Sequence, residues 1–161
     1  MKNETVAIIP AFNEEKTIEN VIKNTLVYVN KIIVVSDGSS DNTVKKSKNN
    51  NVLVLENKKN LGPALATEKG IQKAIELGFK YLITIDADGQ HPYDQIPVFL
   101  EKLKKNEGDI VVACRDKFPR FSEYLFSYYS TKRIGVKDPL NGFKAIKGEV
   151  IKEIGYFDKI E

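Results

Sequence analysis

Two carboxylates stand two residues apart in Asp86-Ala87-Asp88, directly after the apolar run Tyr81-Leu82-Ile83-Thr84-Ile85. Acids this close repel one another unless a cation or solvent screens them. A hard divalent ion takes oxygen ligands, and Mg²⁺ commonly uses one or two carboxylates and completes its shell with substrate phosphates. The pair, followed at once by Gln90 and His91, has the composition of a Mg²⁺ or Mn²⁺ site that shares its ion with a phosphate group. A turn that caps a helix beginning near Tyr93 would use the same residue types. Spacing alone leaves both readings open.

Three further segments carry polar groups where apolar runs end. In Val34-Val35-Ser36-Asp37-Gly38-Ser39-Ser40-Asp41, an acid closes a strand-like run, where it can accept hydrogen bonds from a base or a ribose. Gly38 and the serines permit a tight turn, and Ser40 or Asp41 can cap the next helix. In Ile9-Pro10-Ala11-Phe12-Asn13-Glu14-Glu15, neither the glycine-rich dinucleotide fingerprint nor a P-loop is present. Acids here complement a helix dipole but disfavour a phosphate, so this loop suits the neutral parts of a nucleotide. Asn60-Leu61-Gly62-Pro63 reads as a helix start.

The elements that must position these groups follow from apolar periodicity. Short β-branched runs predict strands at 5–9, 31–35, 51–55, 81–85 and 109–113, each continuous enough to be covered on both faces. Amphipathic stretches predict helices at 14–29, 41–49, 63–77 and 93–105, with Gly78 placed to end the third. Such alternation implies β-α-β units, a mostly parallel central sheet flanked by helices, and ligands at the carboxyl ends of the strands. After Arg115 the pattern loosens into an aromatic and basic segment, with Phe118, Arg120, Phe121, Tyr124, Phe126, Tyr128, Tyr129, Lys132 and Arg133. A turn, a short strand within 138–147 and a helix over 148–155 complete the prediction.

Length and charge bound the function. The 161 residues fit one domain, and 42% hydrophobic residues suffice for a continuous core. A net charge of +3, from 25 basic against 22 acidic residues, argues against nucleic acid as a partner. Cys114 is the single cysteine, which excludes an internal disulfide; after Val111-Val112-Ala113 it is expected to be a buried small hydrophobe. No apolar run approaches the roughly 18 residues of a membrane span, and no signal-peptide pattern opens the chain. The expected location is the cytoplasm or the cytoplasmic face of a membrane.

Taken in order, VAIIPAFNEEKTI, IIVVSDGSSDNT, NKKNLGPALATEKGI, YLITIDADGQHP and DPLNGFKAI resemble the GT-A glycosyltransferases of family 2, in the branch of dolichol-phosphate mannosyltransferase-like and polyprenyl-phosphate sugar transferases. The resemblance implies a Rossmann-like α/β fold over residues 1–161 and an inverting, metal-dependent transfer from a UDP- or GDP-linked sugar. It implies that Pro10, Phe12 and Glu14 form the first nucleotide-contact loop, and that Val35 and Asp37 flank the base. Asp86 and Asp88 would hold Mg²⁺ or Mn²⁺ against the donor diphosphate, with Ala87 near the sugar or ribose and Gln90 a further metal or phosphate contact. Arg115 would face the phosphates. An anionic lipid phosphate acceptor needs no strong base, whereas a sugar hydroxyl does; Asp138 is then the candidate base or else caps a turn before Gly142, and Asp88 and Asp138 are the candidate catalytic pair. The aromatic segment is either a flap touching lipid or acceptor, giving peripheral membrane contact, or a helix packing its aromatic face on the core; the second is the expectation. A nucleotide-sugar-binding module without turnover and a sugar nucleotidyltransferase are the alternative functions. Relatives of this pattern extend further past Gly155, so the chain reads as a compact member or as a piece of a longer protein.

Overall fold

The computed structural model describes residues 4–115 and 121–155. Phe118, Arg120 and the end of the chain from residue 156 lie outside the described residues, as do the side chains of Phe121 and Tyr124.

Strands β1 (Thr5–Ala11), β2 (Lys31–Asp37), β3 (Val52–Asn57), β4 (Tyr81–Thr84), β5 (Ile110–Val112) and β6 (Lys144–Lys147) form one sheet in the order β3-β2-β1-β4-β6-β5. The first four are mutually parallel, while β6 runs antiparallel between β4 and β5. The sheet is mostly parallel, as expected, and its one antiparallel member comes from the short strand predicted within 138–147.

Alternation along the central strands splits the core into two layers. Ala7, Ile9, Ile32, Val34 and Ile83 face one side, under helices α1 (Ile18–Thr25) and α4 (Ile96–Lys104). Val6, Ile8, Ile33, Val35 and Leu82 face the other, under α3 (Pro63–Glu76). Each fully buried aliphatic contributes about 1.5–3 kcal/mol by leaving water, which accounts for the continuous apolar runs in β1, β2 and β4. The outer strands differ: β3 is half-buried for most of its length and Ile110 of β5 is 46% exposed. Sheet edges, covered on fewer sides, correct the expectation of uniformly buried strands.

Helices are shorter than the periodicity predicts. The first occupies Ile18–Thr25, preceded by hydrogen-bonded turns on the Glu14 carbonyl, and α2 is a single turn, Thr43–Lys46. A 3-10 turn, Tyr93–Gln95, leads into α4, because Pro97 can join a helix only in its first turn. Helices α5 (Phe121–Ile134) and α6 (Gly148–Ile154) complete the described residues.

Candidate active site

The strand order reverses at β1, with β2 on one side and β4 on the other. A crevice opens at such a point at the carboxyl ends of the strands. The β1–α1, β2–α2 and β4–α4 connections all leave the carboxyl ends of these parallel strands.

The first two connections are laced together. Asn13, at φ 55°, accepts the Ser40 N–H on its Oδ1 (2.9 Å), while its own N–H donates to Ser39 Oγ (3.1 Å). The Glu14 N–H donates to Thr43 Oγ1 (2.7 Å), and Glu15 N–H to Asp41 Oδ2 (3.1 Å). The Glu15 carboxylate in turn accepts from the backbone and side chain of Asn42 (3.0 and 2.9 Å). Several such bonds between the same two loops restrain each other, although most of them lie at the surface. Here the acids expected to greet a ligand largely fasten one loop to the other. The Glu14 carboxylate accepts from Thr17 Oγ1 (2.8 Å), and Phe12 stands 46% exposed at the rim.

Asp37 is 3% exposed, and its carboxylate is occupied by the β3–α3 loop. Asn57 Nδ2 donates to Oδ1 (2.7 Å), Leu61 N–H lies 3.0 and 3.1 Å from the two oxygens, and Gly62 N–H donates to Oδ2 (2.8 Å). It ties β2 to the start of α3 and has little acceptor capacity left for a base. Val35 is 0% exposed under α3, so its side chain is packed in the core. The strand period of two explains it, since a residue two before Asp37 on a double-covered strand points into a layer.

The β4 segment places its acids differently. Strand pairing ends at Thr84, Ile85 N–H still donates to Ile8 O (3.1 Å), and the chain then turns. Asp86 is held at Oδ2 by His91 Nε2 (2.8 Å), whose ring stacks at 5.2 Å on Phe143. On its other side Gly142 backs directly onto the carboxylate: a Cβ there would sit 2.5 and 2.6 Å from the two oxygens. Thr84 Oγ1 donates to Gly142 O (2.6 Å), and Asn141 Oδ1 accepts the Phe143 N–H (2.9 Å), so β4 and the turn before β6 are clamped around Asp86. Asp88 is exposed, and its Oδ1 accepts the Gln90 N–H (2.9 Å). Gln90 enters these contacts through its backbone, and His91 rather than Gln90 brings a side chain to Asp86. Ala87 is 4% exposed and packs in the α1/α4 layer, so its side chain is withheld from a sugar or ribose. Among the described residues no three His, Cys, Asp or Glu side chains gather as a group that could hold a metal ion by themselves. Carboxylates such as Asp86 and Asp88 are hard oxygen donors, suited to an ion that takes most of its shell from phosphate and water.

Arg115 and Asp138 are brought together. Arg115 donates to Asp138 through its N–H (3.2 Å), Nε (2.8 Å) and Nη2 (3.0 Å), and pairs with Glu123 of α5 at 3.2 Å. Asp138 is 1% exposed, and the Arg115 hydrogen bonds hold its carboxyl below the ordinary value against the opposing effect of burial. A carboxylate so engaged is a weaker proton acceptor than a free one. Lys144 of β6 is half-buried; burial lowers its ammonium pKa, while the charges of Asp138 and Asp86 oppose the shift. His91 was read beside the acids as part of the same composition, whereas Gly142 and Lys144 were missed, and nothing local distinguished them.

Cys114 is exposed, not buried, because the chain leaves the edge strand after Val112. Helix α5 also departs from expectation. Among its described side chains Ser127 and Ser130 are buried, whereas Leu125, Phe126, Tyr128 and Tyr129 are 45–58% exposed.

A switch-point crevice flanked by paired carboxylates, on a sheet with one antiparallel strand near its edge, defines the class: a GT-A fold. The chain belongs to glycosyl transferase family 2, whose model matches residues 6–152. It is 38% identical to an uncharacterised protein of Methanocaldococcus jannaschii, over 95% of this chain and 76% of that one. It is also 38% identical to the UDP-N-acetylglucosamine–dolichyl-phosphate N-acetylglucosaminyltransferase of Methanococcus voltae, over 70% of this chain and 52% of that protein. Identity to the dolichol-phosphate mannosyltransferase of Pyrococcus furiosus is 31%, over 91% of this chain and 47% of that protein. The chain thus spans about half the length of these two named relatives. Glucosyl-3-phosphoglycerate synthase from Mycobacterium tuberculosis, solved with Mn²⁺, UDP-glucose and phosphoglyceric acid, shares the fold at a TM-score of 0.75 and 22% identity, over 92% of this chain and 58% of that one.

Proposed function

We propose that this domain binds a nucleotide diphosphate sugar with a divalent metal ion and transfers the sugar, with inversion, to a lipid phosphate. The observation that carries the reading is the carboxylate pair Asp86 and Asp88 at the end of β4, with Asp86 clamped between His91 and Gly142. Asp86 and Asp88 would hold Mg²⁺ or Mn²⁺, which would offset negative charge on the departing diphosphate. Pro10 and Phe12 would flank the base from the β1 loop, kept in place by the bonds from Asn13, Glu14 and Glu15. Asp37 then acts mainly by fixing the loop at Leu61 and Gly62, whose backbone lies beside the same crevice. Lys144 and Arg115 would supply positive charge for phosphates.

The kinship with dolichyl-phosphate transferases supports an acceptor whose oxygen is already anionic. Such an acceptor needs no strong base, and this agrees with the engagement of Asp138 by Arg115. Calorimetric titration with UDP and with GDP, each with and without Mn²⁺, tests the donor site. Metal-dependent binding of one nucleotide, lost in Asp88→Ala with the fold intact, is the expected result. Equal affinity in that variant would overturn the metal assignment. A folded protein that binds neither nucleotide would leave a module without a donor site, and transfer would have to be abandoned.

A further inference from the structure

The two acids at the end of β4 are supported unequally. Asp86 is held by His91 on one side and backed by Gly142 on the other. Asp88 is exposed, and among the described residues its one hydrogen bond comes from its own turn, the Gln90 N–H donating to Oδ1 (2.9 Å). That turn passes over Gly89 at φ 78°, a conformation that carries no steric penalty for glycine. A carboxylate that binds an ion normally has a further group that fixes its orientation.

Tyr93 lies beside this turn. It opens the 3-10 turn before α4, and its ring packs on the α1/α4 layer of the core. Its hydroxyl oxygen is buried and has no hydrogen-bond partner among the described residues. A Cβ built on Gly89 would stand 3.8 Å from this oxygen and 3.8 Å from Val21 Cγ2, which sets the hydroxyl between the Asp88–Gly89 turn and α1. Burial, and after it the charge of Asp88, raises the pKa of the phenol, so it keeps its proton and remains a donor. A buried hydroxyl without an acceptor destabilises the fold that contains it, and phenylalanine would fill the same space without that penalty. Asp88, one residue before Gly89, has an oxygen, Oδ2, that accepts nothing among the described residues. An unpaired donor and an unsupported acceptor thus stand on the two sides of one glycine.

We infer that Tyr93 is a positioning residue for Asp88: with metal and nucleotide diphosphate bound, the Asp88–Gly89 turn draws in and the Tyr93 hydroxyl donates to the Asp88 carboxylate. It then fixes Asp88 as His91 fixes Asp86. The inference rests on the reading of Asp86 and Asp88 as the metal-holding pair and adds the residue that orients the second of them. The hydroxyl is unpaired in the free domain and paired in the loaded one, so it disfavours the first and favours the second. A hydroxyl with a purely structural role would change stability and leave binding alone.

Tyr93→Phe removes the hydroxyl and keeps the ring. Thermal unfolding of the full chain without metal or nucleotide should give a midpoint equal to or above that of the wild type. Calorimetry with whichever of UDP and GDP the wild type binds should show the variant needing about tenfold more Mn²⁺ for half-maximal nucleotide binding, on the scale of losing a partner of a metal ligand. Half-maximal binding at the same Mn²⁺ concentration in both proteins overturns the inference and leaves the donor site standing. A lower midpoint in the variant overturns it as well, since the hydroxyl would then be satisfied in the free domain. A wild type that binds neither nucleotide with Mn²⁺ removes the donor site, and the role of Tyr93 with it.

Discussion

At the scale of single residues, the site depends on close backing as much as on charge. Gly142 leaves no room for a side chain, since a Cβ would lie 2.5 Å from Asp86 Oδ1. Gly142→Ala should displace the Asp86 carboxylate and weaken metal-dependent nucleotide binding by about 10–100-fold, as losses in the support of a metal ligand do. Calorimetry with Mn²⁺ would measure this, and unchanged affinity would show that Asp86 needs no such support. Asp138 gives a prediction in pH. Its folded carboxyl titrates below the unfolded value of about 3.9, through the Arg115 hydrogen bonds. It therefore contributes stability that is present above that value and is lost as pH falls through the folded pKa. Asp138→Asn should cost about 1–3 kcal/mol near neutral pH, with the gap to wild type closing in the acid range below about 4. Urea unfolding at pH 7 and pH 3 would read it. A gap of constant size would mean that the charge of Asp138 is not what stabilises.

Among the elements, the contact of α3 with the sheet is the tightest. Gly70 faces β1 and β2, and a Cβ there would clash with Ile8 Cγ2 and approach Val35 Cγ2 at 3.2 Å. Both neighbours are fully buried, and a β-branched side chain held in a core has little room to turn away. Gly70→Ala gains about 1 kcal/mol of helix propensity, but overpacking costs about 1–3 kcal/mol. The net expectation is destabilisation, or a thermal midpoint lowered by a few degrees. A raised midpoint would show that α3 can lift from the sheet at no cost. Because Asp37 fastens the loop before α3, such lifting would also disturb the nucleotide side of the crevice.

For the whole molecule, binding and stability are linked. A ligand that binds only the folded form, at about a hundred times its dissociation constant, stabilises by about 2.7 kcal/mol. In a domain of this size that is a rise of about 5–10 °C in the thermal midpoint. The rise should require nucleotide and Mn²⁺ together, because Asp86 and Asp88 alone do not close a metal cage. An equal rise with nucleotide alone would place the diphosphate on cations such as Lys144 and dispense with the metal.

The sequence by itself determined the central strands, because continuous β-branched runs such as Val6–Ile9 are stable only when both sheet faces are covered. It also determined that polar residues gather where those runs end, and the order of its motifs pointed to the family. Helix ends and the sheet edge were not readable to the same degree: periodicity marks a buried face but not where capping bonds outcompete the helix, as at Glu14–Thr17. Only the tertiary structure decided what each acid faces. Asp37 and Asp138 meet Leu61, Gly62 and Arg115, and Asp86 meets Gly142, across separations of 23 residues or more in the chain. The same holds for α5, whose aromatic and basic composition fits a core-packed helix as well as an outward one. Among its described side chains Ser127 and Ser130 turn inward and bond carbonyls of the following loop, while Leu125, Phe126, Tyr128 and Tyr129 stand exposed. Hydrogen bonds and close contacts between distant segments depend on where the chain returns, and a local pattern of residue types does not contain that information.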